Sequence, residues 1–288
     1  MTGLGHTKIK FKVNKYFIAI FIICIIFGYF IEAALLFLFV MLHEFCHAIV
    51  AVIFGLKIGD IELFPFGGVA RINNIDMVEP FKEILISVAG PLFNVMVAAL
   101  VFFLNNRGIH VPNYEFIMNT NIGLGIFNML PGLPLDGGRI LRVFIEYFVG
   151  YRKATKAAVF TGKVIAVLMF IIGIFAVLNG AMNISLFILP LFIFVSASKE
   201  EENIMYTVIK DVMIKNKNIK GNLIMEVTQI CTYEEAFVRD VLKHFDVNKY
   251  NMVVVLDKSM KVKGVLSESE IFEALTKSGS DIRLKNIA

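Results

Sequence analysis

The sequence predicts an α-helical polytopic membrane protein, with six transmembrane helices and a membrane-embedded hairpin, joined to a small α/β domain at its C-terminal end. Three observations carry that expectation. Of 288 residues, 57% are hydrophobic and 18% charged, against roughly 25% charged in an average soluble domain. Apolar runs able to cover a ~30 Å hydrocarbon core, which takes about 20 helical residues, begin near Tyr16, Ala33, Ile84, Glu115, Thr161 and Ala181. Hydrophobicity then falls away after Ser196. The expected division is a transmembrane domain over 1–200, then a linker and a cytoplasmic α/β domain over 201–288.

Orientation follows from the short loops, because Lys and Arg collect on the cytoplasmic side. Lys8, Lys10, Lys12 and Lys15 precede the first run, Lys57, Arg71 and Lys82 follow the second, and Arg139, Arg142, Arg152, Lys153, Lys156 and Lys163 follow the fourth. The alternate loops hold only Arg107. Both termini are therefore expected in the cytoplasm. The run Tyr16–Ile31 is long for the apolar core of a signal peptide, so it reads as an uncleaved first span. The net charge of +4 reports this orientation, and nucleic acid is not an expected partner. Cys24, Cys46 and Cys231 show no paired spacing and imply no disulfide framework. The 28 Phe, beside no Trp, read as lipid-facing and interhelical packing, and the 13 Met as core.

Two stretches of the apolar part break the helix rules. "LFPFGGVARI" at 63–72 places Pro65 and the pair Gly67-Gly68 between strand-like flanks, which predicts a hairpin dipping into the membrane. "NMLPGLPLDGGR" at 128–139 holds Pro131, Pro134 and three glycines, so the fourth span is interrupted. Irregular backbone at membrane depth is tolerated only where it lines a cavity or is enclosed by protein. Beyond the polar stretch after Ser196, a helical run near 233–245, two strand-like runs, "YNMVVVLD" and "VKGVLS", and a helix, "ESEIFEALTK", predict an α-β-β-α unit. About 65 residues bury little core alone, so pairing with a second copy is expected.

"LHEFCHA" at 42–48 carries the chemistry. His43 and His47 stand four apart and share a helix face. Two imidazoles so placed can ligate one Zn²⁺, and Glu44 beside the first is positioned to take a proton from a metal-bound water. Ionisable groups at membrane depth are costly and functional by default. A hydrogen-bonded polar cluster between helices is the plain structural alternative. Catalytic zinc takes three protein ligands and an open position. His6 lies in the leader, His110 in an external loop and His244 in the soluble part, whereas Asp136 is the acid within the interrupted fourth span. Asp136 is the expected third ligand; its alternative is a helix cap before Gly137-Gly138. Cys46 points away from the histidine face and reads as packing.

"HEFCH" together with "NMLPGLPLDGG", about ninety residues on, resembles the site-2 protease family of intramembrane zinc metalloproteases, whose second motif has the form Asn-x-x-Pro-x-Pro-x-Asp-Gly. "VAGPLFN" at 88–94 and "PFGG" at 65–68 also resemble family elements. The resemblance covers residues 15–200 and implies zinc on His43, His47 and Asp136 with Glu44 as the catalytic base. Phe45 and Cys46 depart from the usual Leu and Gly of the family, at positions between the ligands. The six spans and a C-terminal unit that resembles a single cystathionine-β-synthase (CBS) motif point to the sporulation branch, whose members release a membrane-tethered pro-sigma factor (pro-sigma-K processing) in the mother-cell membrane around the forespore.

The same resemblance implies regulated intramembrane proteolysis with membrane inhibitor proteins as partners. A general envelope-signalling protease, or a metal transporter using the same four polar residues as a transit site, are the other readings. Asn128 and Asn94 are candidates for holding the substrate backbone or the oxyanion, with helix–helix hydrogen bonding as their alternative. Phe64, Phe66 and Gly67 of the hairpin are candidates for a substrate-binding edge. Ser267 and Glu270 in "GVLSESE" are candidates for contacting ATP at the CBS-like turn, and a helix-capping box explains the same pair. Self-pairing of a single CBS-like motif implies a homo-oligomer.

Overall fold

The computed structural model describes residues 11–13, 25–56, 58–64, 67–72, 78–180, 185–218, 226–247, 249–279 and 281–287. The chain divides into two compact units, 1–141 and 142–288.

The first unit holds β1 (Phe11–Val13), α1 (Phe30–Ile53), β2 (Ile58–Phe64), β3 (Gly67–Ile72), α2 (Pro80–Asn106), α3 (Tyr114–Asn128) and the start of α4 (Asp136–Val149). The strands form one sheet in the order β1-β2-β3, with β1 parallel to β2 and β2 antiparallel to β3. Leu63 lies opposite Gly68 and Phe64 opposite Gly67, so β2 and β3 pair as the two arms of the expected hairpin, and residues 65–66 between them lie outside the described residues. α1 packs on α2 and beside β3, and α2 packs on α3. Residues Ala33, Phe39, His43, His47, Ala48 and Ala51 make the buried stripe of α1, and Ile86, Ser87, Gly90, Pro91, Asn94 and Ala98 belong to that of α2. Small residues let two helix backbones approach closely in a membrane. That closeness brings the polar side chains of one helix onto the next.

The second unit holds the rest of α4, α5 (Tyr151–Leu178), α6 (Ser185–Asn218), β4 (Val227–Tyr233), α7 (Val238–Leu242), β5 (Tyr250–Leu256), β6 (Val262–Ser267), α8 (Glu268–Ser278) and a 3-10 turn, Leu284–Asn286. α5 and α6 pack together, with Ala154, Ala158, Ala166, Ile193 and Ala197 buried. The second sheet runs β4-β5-β6, with β4 parallel to β5 and β5 antiparallel to β6. Val253 and Val255 are fully buried, while Val262 and Val265 of β6 are exposed. Arg152 at the start of α5 donates to the Lys243 carbonyl at 2.5 Å, which ties the sheet region to the helix pair.

Three helices among the described residues are long and apolar enough to cross a membrane: α1, α2 and α5. The expected fourth span corresponds to α3, whose 15 residues reach about 22 Å, followed by the irregular stretch 129–135. Residues 16–24 of the expected first span, and 181–184 at the start of the sixth, lie outside the described residues. α6 continues through the polar segment after Ser196, expected to be a linker or a cytoplasmic helix, as far as Asn218.

The tail differs from the expected α-β-β-α order by gaining β4. "VTQICTY" mixes polar and apolar residues on both faces, so its alternation carries no clear signal. The helix expected over 233–245 shrinks to α7 because the backbone before it pairs elsewhere. Leu284 N–H donates to the Ala236 carbonyl, Lys285 N–H to Glu234 and Val238 N–H to Ile282. Those extended contacts use groups that a longer helix would need for itself.

Candidate metal centre

His43 and His47 project from adjacent turns of α1, and Asp136 opens α4. His43 Nε2 lies 3.1 Å from His47 Nε2 and 3.1 Å from Asp136 Oδ2, and His47 Nε2 lies 3.2 Å from the same oxygen. Both histidines are buried, at 4% and 6% exposure. These three residues are the group among the described residues that can hold a metal ion.

The opposite ring nitrogens fix what the inner ones present. His47 Nδ1 sits 2.6 Å from the Ile86 carbonyl, which only accepts, so the proton is on Nδ1. His43 Nδ1 sits 2.5 Å from Asn94 Oδ1 and carries its proton in the same way. Two imidazole lone pairs and a carboxylate oxygen therefore converge with no donor between them. Three acceptors at this distance repel one another unless a cation lies among them. Tetrahedral zinc bonds of about 2.0–2.1 Å separate neighbouring ligand atoms by about 3.3 Å, close to the observed edges. The donor set fits zinc.

α2 closes over this triangle at Gly90. A Cβ there would stand 2.4 Å from His47 Nε2 and 2.5 Å from His43 Nε2. Only a residue without a side chain leaves the ligand face open. The stretch between α3 and α4 is equally tight. A Cβ at Gly137 would meet the Met129 carbonyl oxygen at 2.2 Å and one at Gly138 the Gly132 backbone at 2.2 Å. Two glycines thus let the stretch after α3 fold back against the start of α4, where Asp136 stands.

Glu44 is half-buried and interacts electrostatically with His43, His47, Asp136 and Arg139. Asn128 is half-buried at the end of α3 and donates from Nδ2 to the Leu124 carbonyl at 3.1 Å. Asn94 is fully buried and uses both ends of its amide: Oδ1 meets His43, and Nδ2 donates to Asn121 Oδ1 at 2.9 Å. Phe64 ends β2 and Gly67 opens β3, whereas Phe66 lies outside the described residues. Cys46 is a half-buried free thiol.

Ser267 and Glu270, far along the chain in the second unit, form a capping box. The Ser267 N–H and hydroxyl both donate to Glu270 Oε2 at 2.8 Å, and the Glu270 N–H donates to Ser267 Oγ at 3.3 Å. The Ser267 backbone N–H, then its hydroxyl, holds the Glu270 carboxyl below its ordinary range.

Sequence reasoning passed over Asn121, Gly90 and the Ile86 carbonyl. Asn121 stands in "NTNIG" beside Asn119, where a single helix gives no sign of which amide is buried. Gly90 was visible only inside "VAGPLFN", where its closeness to the histidines has no local signature.

Residues 31–108 and 106–172 match the family model described as peptidase family M50. Over 215 residues the chain is 35% identical to a zinc metalloprotease of Methanocaldococcus jannaschii, covering 73% of this chain and 60% of that protein. The chain thus spans 60% of that relative's length. It is 25% identical over 240 residues to stage IV sporulation protein FB of Bacillus subtilis, with 83% and 82% of the two chains aligned. The solved structure of the site-2 protease from Methanocaldococcus jannaschii superposes with a TM-score of 0.55 at 30% identity, over 70% of this chain and 93% of that one. The matched stretch contains His43, His47 and Asp136, and the chain belongs to peptidase family M50, the zinc metalloproteases of the site-2 protease type.

Proposed function

We propose that this chain is an intramembrane zinc endopeptidase that cuts a membrane-associated protein near the cytoplasmic side, releasing a sigma factor from its pro-form during endospore formation. The observation that carries the activity is the convergence of His43 Nε2, His47 Nε2 and Asp136 Oδ2 into one acceptor triangle. Those three atoms would hold the zinc. A bound zinc polarises the scissile carbonyl and brings the pKa of a water close to ~7. Glu44, next to His43, accepts the proton of the attacking water and returns it to the leaving amine nitrogen.

A helical substrate keeps its carbonyls in its own hydrogen bonds, so it must be presented extended. β3 packs beside α1, which carries the histidines, and it is one of the two edge strands of its sheet among the described strands. That position supports strand addition along Gly67–Ile72, with Asn128 holding the substrate backbone or the oxyanion.

The sporulation role is supported by the likeness to stage IV sporulation protein FB over 82% of that protein. It goes with six spans, both termini in the cytoplasm of the mother cell, a protease domain over 1–200 and a regulatory CBS-like domain over 201–288. Membrane inhibitor proteins would restrain the enzyme. The apolar sheet face with Tyr233, Leu256, Val262 and Val265 in neighbouring register supports a homo-oligomer through that domain. Only the resemblance supports ATP there, since Ser267 and Glu270 already satisfy one another.

The test is co-expression of wild type, Glu44→Gln and Asp136→Ala with a tethered pro-sigma-factor substrate, reading substrate size and zinc per purified chain. Wild type should cleave, Glu44→Gln should keep zinc without cleaving, and Asp136→Ala should lose both. Cleavage by Glu44→Gln refutes the base. Zinc flux without cleavage by the wild type replaces the enzyme with a transporter.

A further inference from the structure

His43 has no backbone carbonyl to orient it, in contrast to His47. Its Nδ1 faces an amide, Asn94 Oδ1, and an amide can turn over to present a donor instead. Something must therefore decide which end of Asn94 faces the ring. Asn94 Nδ2 lies 2.9 Å from Asn121 Oδ1, and Asn121 Nδ2 lies 2.9 Å from the Ile117 carbonyl one turn back on α3. A carbonyl only accepts, so Asn121 must turn its NH₂ toward Ile117 and its oxygen toward Asn94. Asn94 must then give its NH₂ to Asn121 and its oxygen to His43. His43 must carry its proton on Nδ1, which leaves the Nε2 lone pair for metal.

We propose that Asn121 is a positioning residue of the zinc site: it acts through Asn94 to hold His43 in the one tautomer and ring orientation that can ligate. Each end of the chain is anchored on a group that cannot reverse, a helix carbonyl at one end and the metal face at the other. Both amides are fully buried, at 0% exposure, so no solvent competes for their hydrogen bonds. The same carbonyl logic holds His47 directly through Ile86. The two ligands thus reach one outcome by different routes, one through α2 alone and one through α2 and α3. Partners behind a metal-bound histidine typically change affinity about 10–100-fold when removed.

The inference rests on the proposed zinc site and is tested without proteolysis. The full chain in detergent micelles is titrated with zinc against a competing chelator, as wild type, Asn121→Leu, Asn121→Asp, Asn94→Asp and the Asn94→Asp/Asn121→Leu pair. The ring nitrogens of ¹⁵N-histidine-labelled, metal-free protein are read by NMR alongside. Asn121→Leu should weaken zinc about 10–100-fold and move the His43 signals away from the Nδ1–H tautomer. Asn121→Asp keeps an oxygen facing Asn94 but loses the donor to the Ile117 carbonyl, so it should restore the Nδ1–H signals of His43 and recover part of the zinc affinity. An aspartate at position 94 can accept from His43 whichever way it turns, so adding Asn121→Leu there should change affinity less than about threefold. Wild-type affinity and unchanged signals in Asn121→Leu overturn the proposal. So does an equal loss in both backgrounds, which would make Asn121 a packing residue. A wild type that binds zinc but cleaves nothing sinks the protease activity and leaves this result standing.

Discussion

Replacing Gly90 with alanine inserts one methyl into the ligand face, and the structure says how far the site must give. The new Cβ would lie 2.4 Å from His47 Nε2, 2.5 Å from His43 Nε2 and 2.6 Å from His43 Cε1. Ordinary contact needs about 3.5 Å, so the overlap is about 1 Å on two rings at once. α2 cannot simply retreat. It carries Ile86 and Asn94, whose contacts to the rings are 2.6 and 2.5 Å; a withdrawal of about 1 Å lengthens both to about the limit of a hydrogen bond or beyond it. The rings cannot turn aside without breaking the same contacts. Overpacking of this kind costs about 1–3 kcal/mol in stability, and losing two partners behind the ligands compounds into a fall of about 10²-fold or more in zinc affinity. The assay is zinc per chain after purification, followed by chelator competition. The control is Gly123→Ala on α3, where an added Cβ meets nothing within 4 Å. Zinc binding within threefold of wild type in Gly90→Ala would refute the reasoning.

Other consequences are smaller or more local. Glu44→Gln should retain zinc and lose cleavage by at least about 10²-fold, the lower range for a general base, as read by single-turnover conversion of the tethered substrate. Ser267→Ala removes one half of the capping box and should destabilise α8 by about 1 kcal/mol, seen as faster amide exchange of residues 268–278 in the intact protein. The Glu270 carboxyl is held low by the Ser267 N–H and hydroxyl, so its folded value lies below its unfolded one. Its stabilisation of α8 is complete above the ordinary glutamate range near ~4.3 and fades as pH drops through the lower folded value. Protection of α8 that rises on acidification would contradict this. Val265→Lys places a charge on the open sheet face, where Val265 is 50% exposed, and should lower the oligomer mass measured by light scattering; an unchanged mass would remove that face as the contact.

The legible part of the site was the part written at short range. His43, Glu44 and His47 lie within one and a half turns, and helical periodicity alone puts both imidazoles on one face. Asp136 was reached by setting aside the other histidines and taking the acid within the broken stretch, and the structure brings it within 3.2 Å of both rings. Asn94 was recognised as a polar group in an apolar helix, but a sequence does not say whether an amide points to a substrate or to a neighbouring helix. Its two bonded ends show the latter contacts. Asn121 was missed for the same reason. In the tail, β5, β6 and α8 follow from β-branched runs and a capping signal, whereas β4 and the short α7 depend on pairing with residues 282–285.

The sequence by itself determined the apolar helices, the break at 129–135, the zinc-type residue pair and the adjacent glutamate, because hydrophobic period, proline, glycine and four-residue spacing all act within a few turns of chain. The tertiary structure alone decided which nitrogen of each histidine turns toward Asp136, that a side chain at Gly90 would meet both rings, and that Asn94 and Asn121 are hydrogen-bonded in line behind His43. Those facts are set by the distance between helix axes and by which donors and acceptors meet across them. Contacts between residues 27 to 51 positions apart leave no trace in any local pattern.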